Sequence, residues 1–305
     1  MHDVIIIGAG PAGYTAGIYC SRARHDTLLI SGILPGGQLM NTTDVENYPG
    51  FSDGIMGPDL MTVMRKQTEK MGTKIIDDEV TSVDFKNKPL KVKTASEEFE
   101  ARAVIVCTGA NPRKIGLDGE QTFAGKGVSY CATCDGAFFR DQELIVVGGG
   151  DSAMEEAIFL TKFASVVHIV HRKGEFRASK IMQERALSNE KIKVHFNFTI
   201  KEIHGDQKFQ QVVLNNTKTN EDKILEAGGL FIAIGHEPNS AIFQDEIELD
   251  GNGYIIIKNN TETSMTGVFC AGDVHDHRYR QAVTAAGFGC MAAIDVDKYL
   301  SESDT

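Results

Sequence analysis

The chain has 305 residues, 42% apolar and 24% charged, enough for one large or two ordinary domains with real cores. A formal net charge of −11 argues against a nucleic-acid partner, which needs clustered lysine and arginine, and no apolar run approaches the roughly 20 residues that span a bilayer. Six cysteines include one close pair; the other four, Cys20, Cys107, Cys270 and Cys290, read as reduced, mostly buried thiols of a cytoplasmic protein.

The first stretch, DVIIIGAGPAGYTAGIYCSRA, runs apolar strand, glycine loop and small-residue helix, then leads to a second strand, TLLIS, at 27–31. It lacks a basic leader and runs straight into the loop, so it reads as a β-strand and not as a signal peptide. Gly8, Gly10 and Gly13, with Pro11 and Ala12 between them, fit G-x-G-x-x-G. The first glycine permits a tight turn, the second lets a pyrophosphate approach the backbone, and the third allows close helix–strand packing. The helix amino terminus then offers N–H groups to phosphates. The acid expected about 20 residues on, for the adenosine ribose, is absent, and Ser31 stands there.

A buried strand, AVIVCTG at 103–109, ends in glycine and is followed by a hinge candidate, NPRKI at 111–115. After YCATCDGAFF at 130–139 the opening pattern recurs: ELIVVGGGDSAMEEAIFLTKF carries Gly148, Gly150, Asp151, Ser152 and Ala153 in the places of the first loop, then reaches the strand VVHIVHR. That strand ends in HRKGEFR at 171–177. An NAD site would place an acid there, whereas Arg172, Lys173 and Arg177, helped by His171, suit the 2′-phosphate of NADPH. Two further strands follow, GLFIAIG at 229–235 and GVFCAGD at 267–273, with a second hinge candidate, HEPNS, at 236–240.

Two β-α-β units with glycine loops a domain length apart predict an α/β fold of two Rossmann-like dinucleotide-binding domains, one inserted in the other. The expected boundaries are 1–113 and 241–305 for the discontinuous outer domain and 114–240 for the insert. Cys131 and Cys134 supply two of the four ligands that a structural zinc needs, and no second pair follows, so ligand count disfavours zinc; H-x-H at His275 and His277 is a weak signal. Two merely structural thiols remain open. A redox pair fits better, because C-x-x-C closes a small reducible ring and can lower one thiol pKa. Asp135, next to Cys134, could move the proton that dithiol–disulfide exchange requires, or be an ordinary turn acid before Gly136.

With CATCDG, GGQL, VENYPG, HRKGEFR, AIGHEPN and AGDV…YRQA in this order, the chain resembles the low-molecular-weight thioredoxin reductases of the pyridine nucleotide-disulfide oxidoreductase family over nearly all its length. The resemblance implies FAD on the first loop, NADPH on the second, thioredoxin as the protein substrate and a homodimer. It carries the flavin contacts onto Gly8, Gly10, Pro11, Ala12 and Gly13, onto Gly37, Gln38 and Asn47, and onto Val80 through its backbone. Thr108, Gly109, Gly272, Asp273, Arg280, Gln281 and Ala282 complete that set. It implies a relay in which the Cys131–Cys134 disulfide takes electrons from the flavin, with Cys134 nearer to it and Cys131 attacking the partner. The insert would then swing about the two hinges. Lys173 departs from the second arginine that many relatives carry, keeping the charge but losing bidentate geometry. The alternative is the flavoprotein of an alkyl hydroperoxide reductase system, which shares C-x-x-C-D but normally carries an extra amino-terminal redox domain and prefers NADH.

Overall fold

The isoleucine run at the start of the chain has no polar face. In the strand His2–Ile7, Val4 and Ile6 enter one apolar cluster while Ile5 and Ile7 enter another, as a strand buried on both faces of a parallel sheet must. The computed structural model describes residues 1–32 and 35–303, which divide into two units, Met1–Asn111 with His236–Thr305, and Pro112–Gly235.

In the first unit the sheet runs Lys74–Ile76, Thr27–Ile30, His2–Ile7, Glu98–Val106, with neighbouring strands parallel. Glu98–Val106 is long enough to serve two partners. Its first half pairs antiparallel with Leu90–Thr94, which pairs in turn with Val80–Asp84, and its last three residues pair parallel with Val268–Cys270. Five parallel strands therefore end together at Ile76, Ile30, Ile7, Val106 and Cys270, the carboxyl edge where ligands bind in such sheets. Helices Pro11–Arg22, Gly57–Lys70 and Ala282–Ser303 cover one face, and Phe85, Phe243 and Ile247 pack on the other.

The second unit is a five-stranded parallel sheet in the order Val128–Ser129, Gly229–Ile232, Glu143–Val147, Val166–His171, Ile192–Phe196. A three-stranded antiparallel sheet, Phe198–Gly205, Phe209–Asn216 and Asp222–Glu226, accompanies it. The chain passes between the two units after Asn111 and again after Gly235. Asn239 is tied into the first unit: its N–H donates to the Gly109 carbonyl at 2.9 Å and its carbonyl accepts from Thr108 Oγ1 at 2.7 Å.

Candidate functional site

At the first carboxyl edge, backbone packs on backbone. A Cβ on Gly8, whose φ is +109°, would run into the Cys107 carbonyl, and one on Gly13 into the Gly8 carbonyl, so loop, helix and neighbouring strand close up only with glycine at both positions. Gly10 has no heavy atom within 4 Å of where a Cβ would stand, which leaves its backbone open to a ligand. A Cβ on Gly37 would stand 3.6 Å from Gly10 Cα, and one on Gly272 would stand 3.0 Å from Ala12 Cβ. Thr108 and Gly109 follow the strand end directly.

The remaining expected residues of this unit fall into connected groups. Gln38 Nε2 donates to Asn111 Oδ1 at 2.6 Å, Asn111 Nδ2 to Asn239 Oδ1 at 2.9 Å, and Asn239 Nδ2 to the Thr108 carbonyl at 2.8 Å. Asn47 Nδ2 reaches Gln281 Oε1 at 3.4 Å, which brings the loop at 47 to the start of the helix at Ala282. Arg280 contacts His236 Nδ1, and the backbone N–H groups of Arg278, Tyr279 and Arg280 all donate to the Asp276 carboxylate. Val80 is different: its side chain is an ordinary member of the core under the sheet.

Asp273 is the electrostatic anomaly here. Burial, with Asp276 nearby, pushes its carboxyl up to about 7 against the opposing pull of Arg280, and its Oδ1 is buried without a hydrogen-bond partner. An orphaned buried acceptor beside an open glycine turn fits a bound group carrying hydroxyl donors, as the ribityl chain of FAD does. Sequence reasoning missed what supports Ser31: its hydroxyl lies 2.7 Å from Asp77 Oδ1, and Arg65 holds that carboxylate bidentately at 2.8 and 3.0 Å and keeps its pKa low. Nothing local marks Asp77, because it meets Ser31 only across the sheet pairing of Thr27–Ile30 with Lys74–Ile76.

The second unit repeats the device. A Cβ on Gly148 would strike the Ala233 carbonyl and one on Gly149 the His171 ring, while Gly150 faces open space. Asp151 Oδ1 accepts from the Ser179 N–H and hydroxyl at 2.8 and 2.9 Å, so it clamps the helix start to the end of the basic turn. Arg177 N–H donates to the Gly149 carbonyl at 2.7 Å, which folds that turn back onto the glycine loop. Arg172, Lys173 and Arg177 are exposed on it, Ser152 is half-buried and Ala153 packs in the core. His171 is buried with its Nε2 unpartnered, and burial chiefly lowers its pKa. Cations around an open glycine loop fit the phosphates of NADPH.

On the same edge, the strand Val128–Ser129 delivers the cysteines. Cys131 and Cys134 are joined in a disulfide with Cα atoms 5.3 Å apart; Cys131 caps the helical turn Ala132–Asp135, Cys134 lies within it, and Cys131 Sγ accepts the Cys134 N–H at 3.2 Å. Ser129 Oγ lies 2.5 Å from Asp135 Oδ2 and accepts the Cys131 N–H at 3.0 Å. Burial raises the Asp135 carboxyl above its usual range, and the Ser129 hydrogen bond works against that rise. The His275 ring is packed edge-on against Phe288, with ring centroids 4.4 Å apart.

Among known proteins, the family model described as pyridine nucleotide-disulphide oxidoreductase matches residues 2–289. A thioredoxin reductase of Streptomyces clavuligerus is 53% identical over 307 residues, covering 99% of this chain and 94% of the relative. The crystal structure of thioredoxin reductase from Streptococcus pyogenes is 43% identical and superposes with a TM-score of 0.95 over 99% of both chains. That of Lactococcus lactis, described as being in the FR conformation, is also 43% identical but superposes at 0.67, over 99% of this chain and 100% of that one.

Proposed function

The chain belongs to the pyridine nucleotide-disulphide oxidoreductase family, and within it we propose a thioredoxin reductase that uses NADPH and FAD to reduce a protein disulfide. The observation that carries this reading is the Cys131–Cys134 disulfide on the same sheet edge as a glycine loop and its basic turn. FAD and NADPH, when bound, supply two-electron transfer from nicotinamide through flavin to a disulfide. Gly8 to Gly13, Gly37, Gln38, Asn47, Thr108, Gly109, Gly272, Asp273 and the run Arg280–Ala282 would hold the flavin nucleotide. Gly148, Gly150 and the turn at 171–177 would hold NADPH.

The chain's own chemistry is dithiol–disulfide exchange. Reduced Cys131, as a thiolate, attacks one sulfur of the partner disulfide, forms a mixed disulfide and releases the other sulfur as a thiolate. Cys134, as a thiolate, then attacks Cys131 Sγ, which restores the internal disulfide and releases the second partner thiolate. Two protons and two electrons pass from the motif to the partner. Burial raises the Asp135 carboxyl above the usual carboxylate range, which suits it to taking a proton from a thiol and returning it to a departing thiolate.

A swing of the second unit would let one disulfide serve both an electron source and a protein acceptor. A cytoplasmic, homodimeric state is in keeping with the four unpaired thiols and with Val283, Met291 and Ile294, exposed apolar residues on one face of the last helix. No helix among the described residues is long and apolar enough to cross a membrane.

The test is steady-state oxidation of NADPH against NADH, with a thioredoxin or a peroxiredoxin as acceptor. Thioredoxin-dependent turnover with NADPH is expected, and Cys134→Ser should lower it by roughly 1,000-fold or more, the scale of losing a nucleophile. Turnover that survives Cys134→Ser, or that needs NADH and a peroxiredoxin, would sink the reading.

A further inference from the structure

The proton that Asp135 is to exchange has to be held in a buried place, and one hydroxyl organises that place. Ser129 is 5% exposed and sits at the end of the strand that feeds the motif. Its Oγ has three neighbours: Asp135 Oδ2 at 2.5 Å, the Cys131 N–H at 3.0 Å and the Cys131 carbonyl at 3.4 Å. A hydroxyl has one proton to give and two lone pairs to accept with. With Asp135 ionised, the Ser129 hydroxyl donates to its carboxylate and accepts the Cys131 N–H. With Asp135 protonated, the acid donates to Ser129 Oγ, and the serine proton turns to the Cys131 carbonyl. Rotation of one hydroxyl keeps every group paired in both forms, with no net gain or loss of a proton at the serine.

We propose that Ser129 is a positioning residue for the exchange reaction, the two-way partner that keeps Asp135 hydrogen-bonded whether or not it carries the proton, while pinning the Cys131 backbone at the other end of the motif. The assignment rests on the reductase reading for its purpose, but its geometry stands without it. Other charges do not compete for the role. The neighbouring strand Gly229–Ile232 and the turn Gly136–Phe139 contain no ionisable side chain, and Cys131 and Cys134 are bound to each other. The adjoining helix Asp151–Leu160 carries Asp151, Glu155 and Glu156, yet only burial and Ser129 act on the Asp135 carboxyl.

The ionised acid takes the stronger, charge-assisted hydrogen bond, so losing the hydroxyl harms the carboxylate more than the acid. The test is the titration of Asp135 in the intact oxidised protein, followed by carbon-13 NMR of labelled aspartate carboxyls and assigned by the signal missing in Asp135→Asn. Ser129→Ala is expected to raise the midpoint by about one pH unit, and Ser129→Thr, which keeps the hydroxyl, to restore it. In the reduced protein, the pH profile of cysteine alkylation, read by mass spectrometry, should shift in the same direction for Ser129→Ala and not for Ser129→Thr. An unchanged midpoint in Ser129→Ala, or equal shifts in both variants, would overturn the assignment. Should the unaltered chain reduce no thioredoxin, the reductase reading would fall while the NMR midpoint still decided whether Ser129 governs Asp135.

Discussion

Glu120 carries more of the second unit's local order than any sequence pattern suggested. It is 2% exposed, and its carboxylate accepts from the Ile115 N–H at 3.1 Å, the Gly116 N–H at 2.7 Å and the Tyr130 hydroxyl at 2.9 Å. One buried acid thus ties the segment entering the unit to the residue that precedes Cys131, and it raises the Tyr130 pKa along with burial. Glu120→Ala leaves three donors without their acceptor and should cost about 3 kcal/mol of stability, measured by urea unfolding of the holoprotein. Tyr130→Phe removes one of the three bonds and should cost about 1 kcal/mol. Glu120, Ser129 and Asp77 escaped the sequence reading for one reason: each looks like an ordinary polar residue until folding brings it beside its partner. Cys131, Cys134 and the glycines were legible because their spacing has few other chemical uses.

At the level of elements, the first unit depends on the crossing of Pro11–Arg22 with Ala282–Ser303. A Cβ on Gly289 would overlap the Ala12 carbonyl, whereas one on Gly287, two residues earlier, would meet nothing within 4 Å. Both lie inside a helix, where alanine is intrinsically favoured by about 1 kcal/mol. Gly289→Ala should therefore destabilise the protein by about 2 kcal/mol through overpacking, and weaken flavin retention, because the displaced helix begins at the first glycine loop. Gly287→Ala should be neutral or slightly stabilising. Thermal melts and the flavin absorbance of the purified variants check the pair; equal effects would show that the crossing does not limit stability. The sequence marked the first helix through its small residues but gave no reading of the last, and it could not say which glycine faces a helix and which faces open space, since that depends on the rotation of each helix about its axis.

For the molecule as a whole, the proposed swing makes a claim about turnover. A cross-link joining Met1–Asn111 with His236–Thr305 to Pro112–Gly235 in a single pose should slow steady-state thioredoxin reduction at least ~10-fold, if movement of the second unit gates each cycle. Chemical reduction of the Cys131–Cys134 disulfide by a small thiol should be far less affected. Undiminished steady-state turnover in the cross-linked protein would remove the swing from the mechanism.

The amino-acid sequence alone determined the two glycine loops, the cysteine pair with its acid and the basic turn after the strand Val166–His171, because each is a short-range pattern whose chemistry depends on neighbours along the chain. It also pointed to one nucleotide domain inserted in another, since the two glycine loops lie about a domain length apart. Only the tertiary structure decided that Ser129 holds Asp135, that Asp77 backs Ser31, that Asp273 is buried with an orphaned oxygen, and that the second crossing comes at Gly235. These facts depend on contacts that folding makes within each unit, and the free energy of a buried polar group is set by the partner it finds there, not by the residues beside it in sequence.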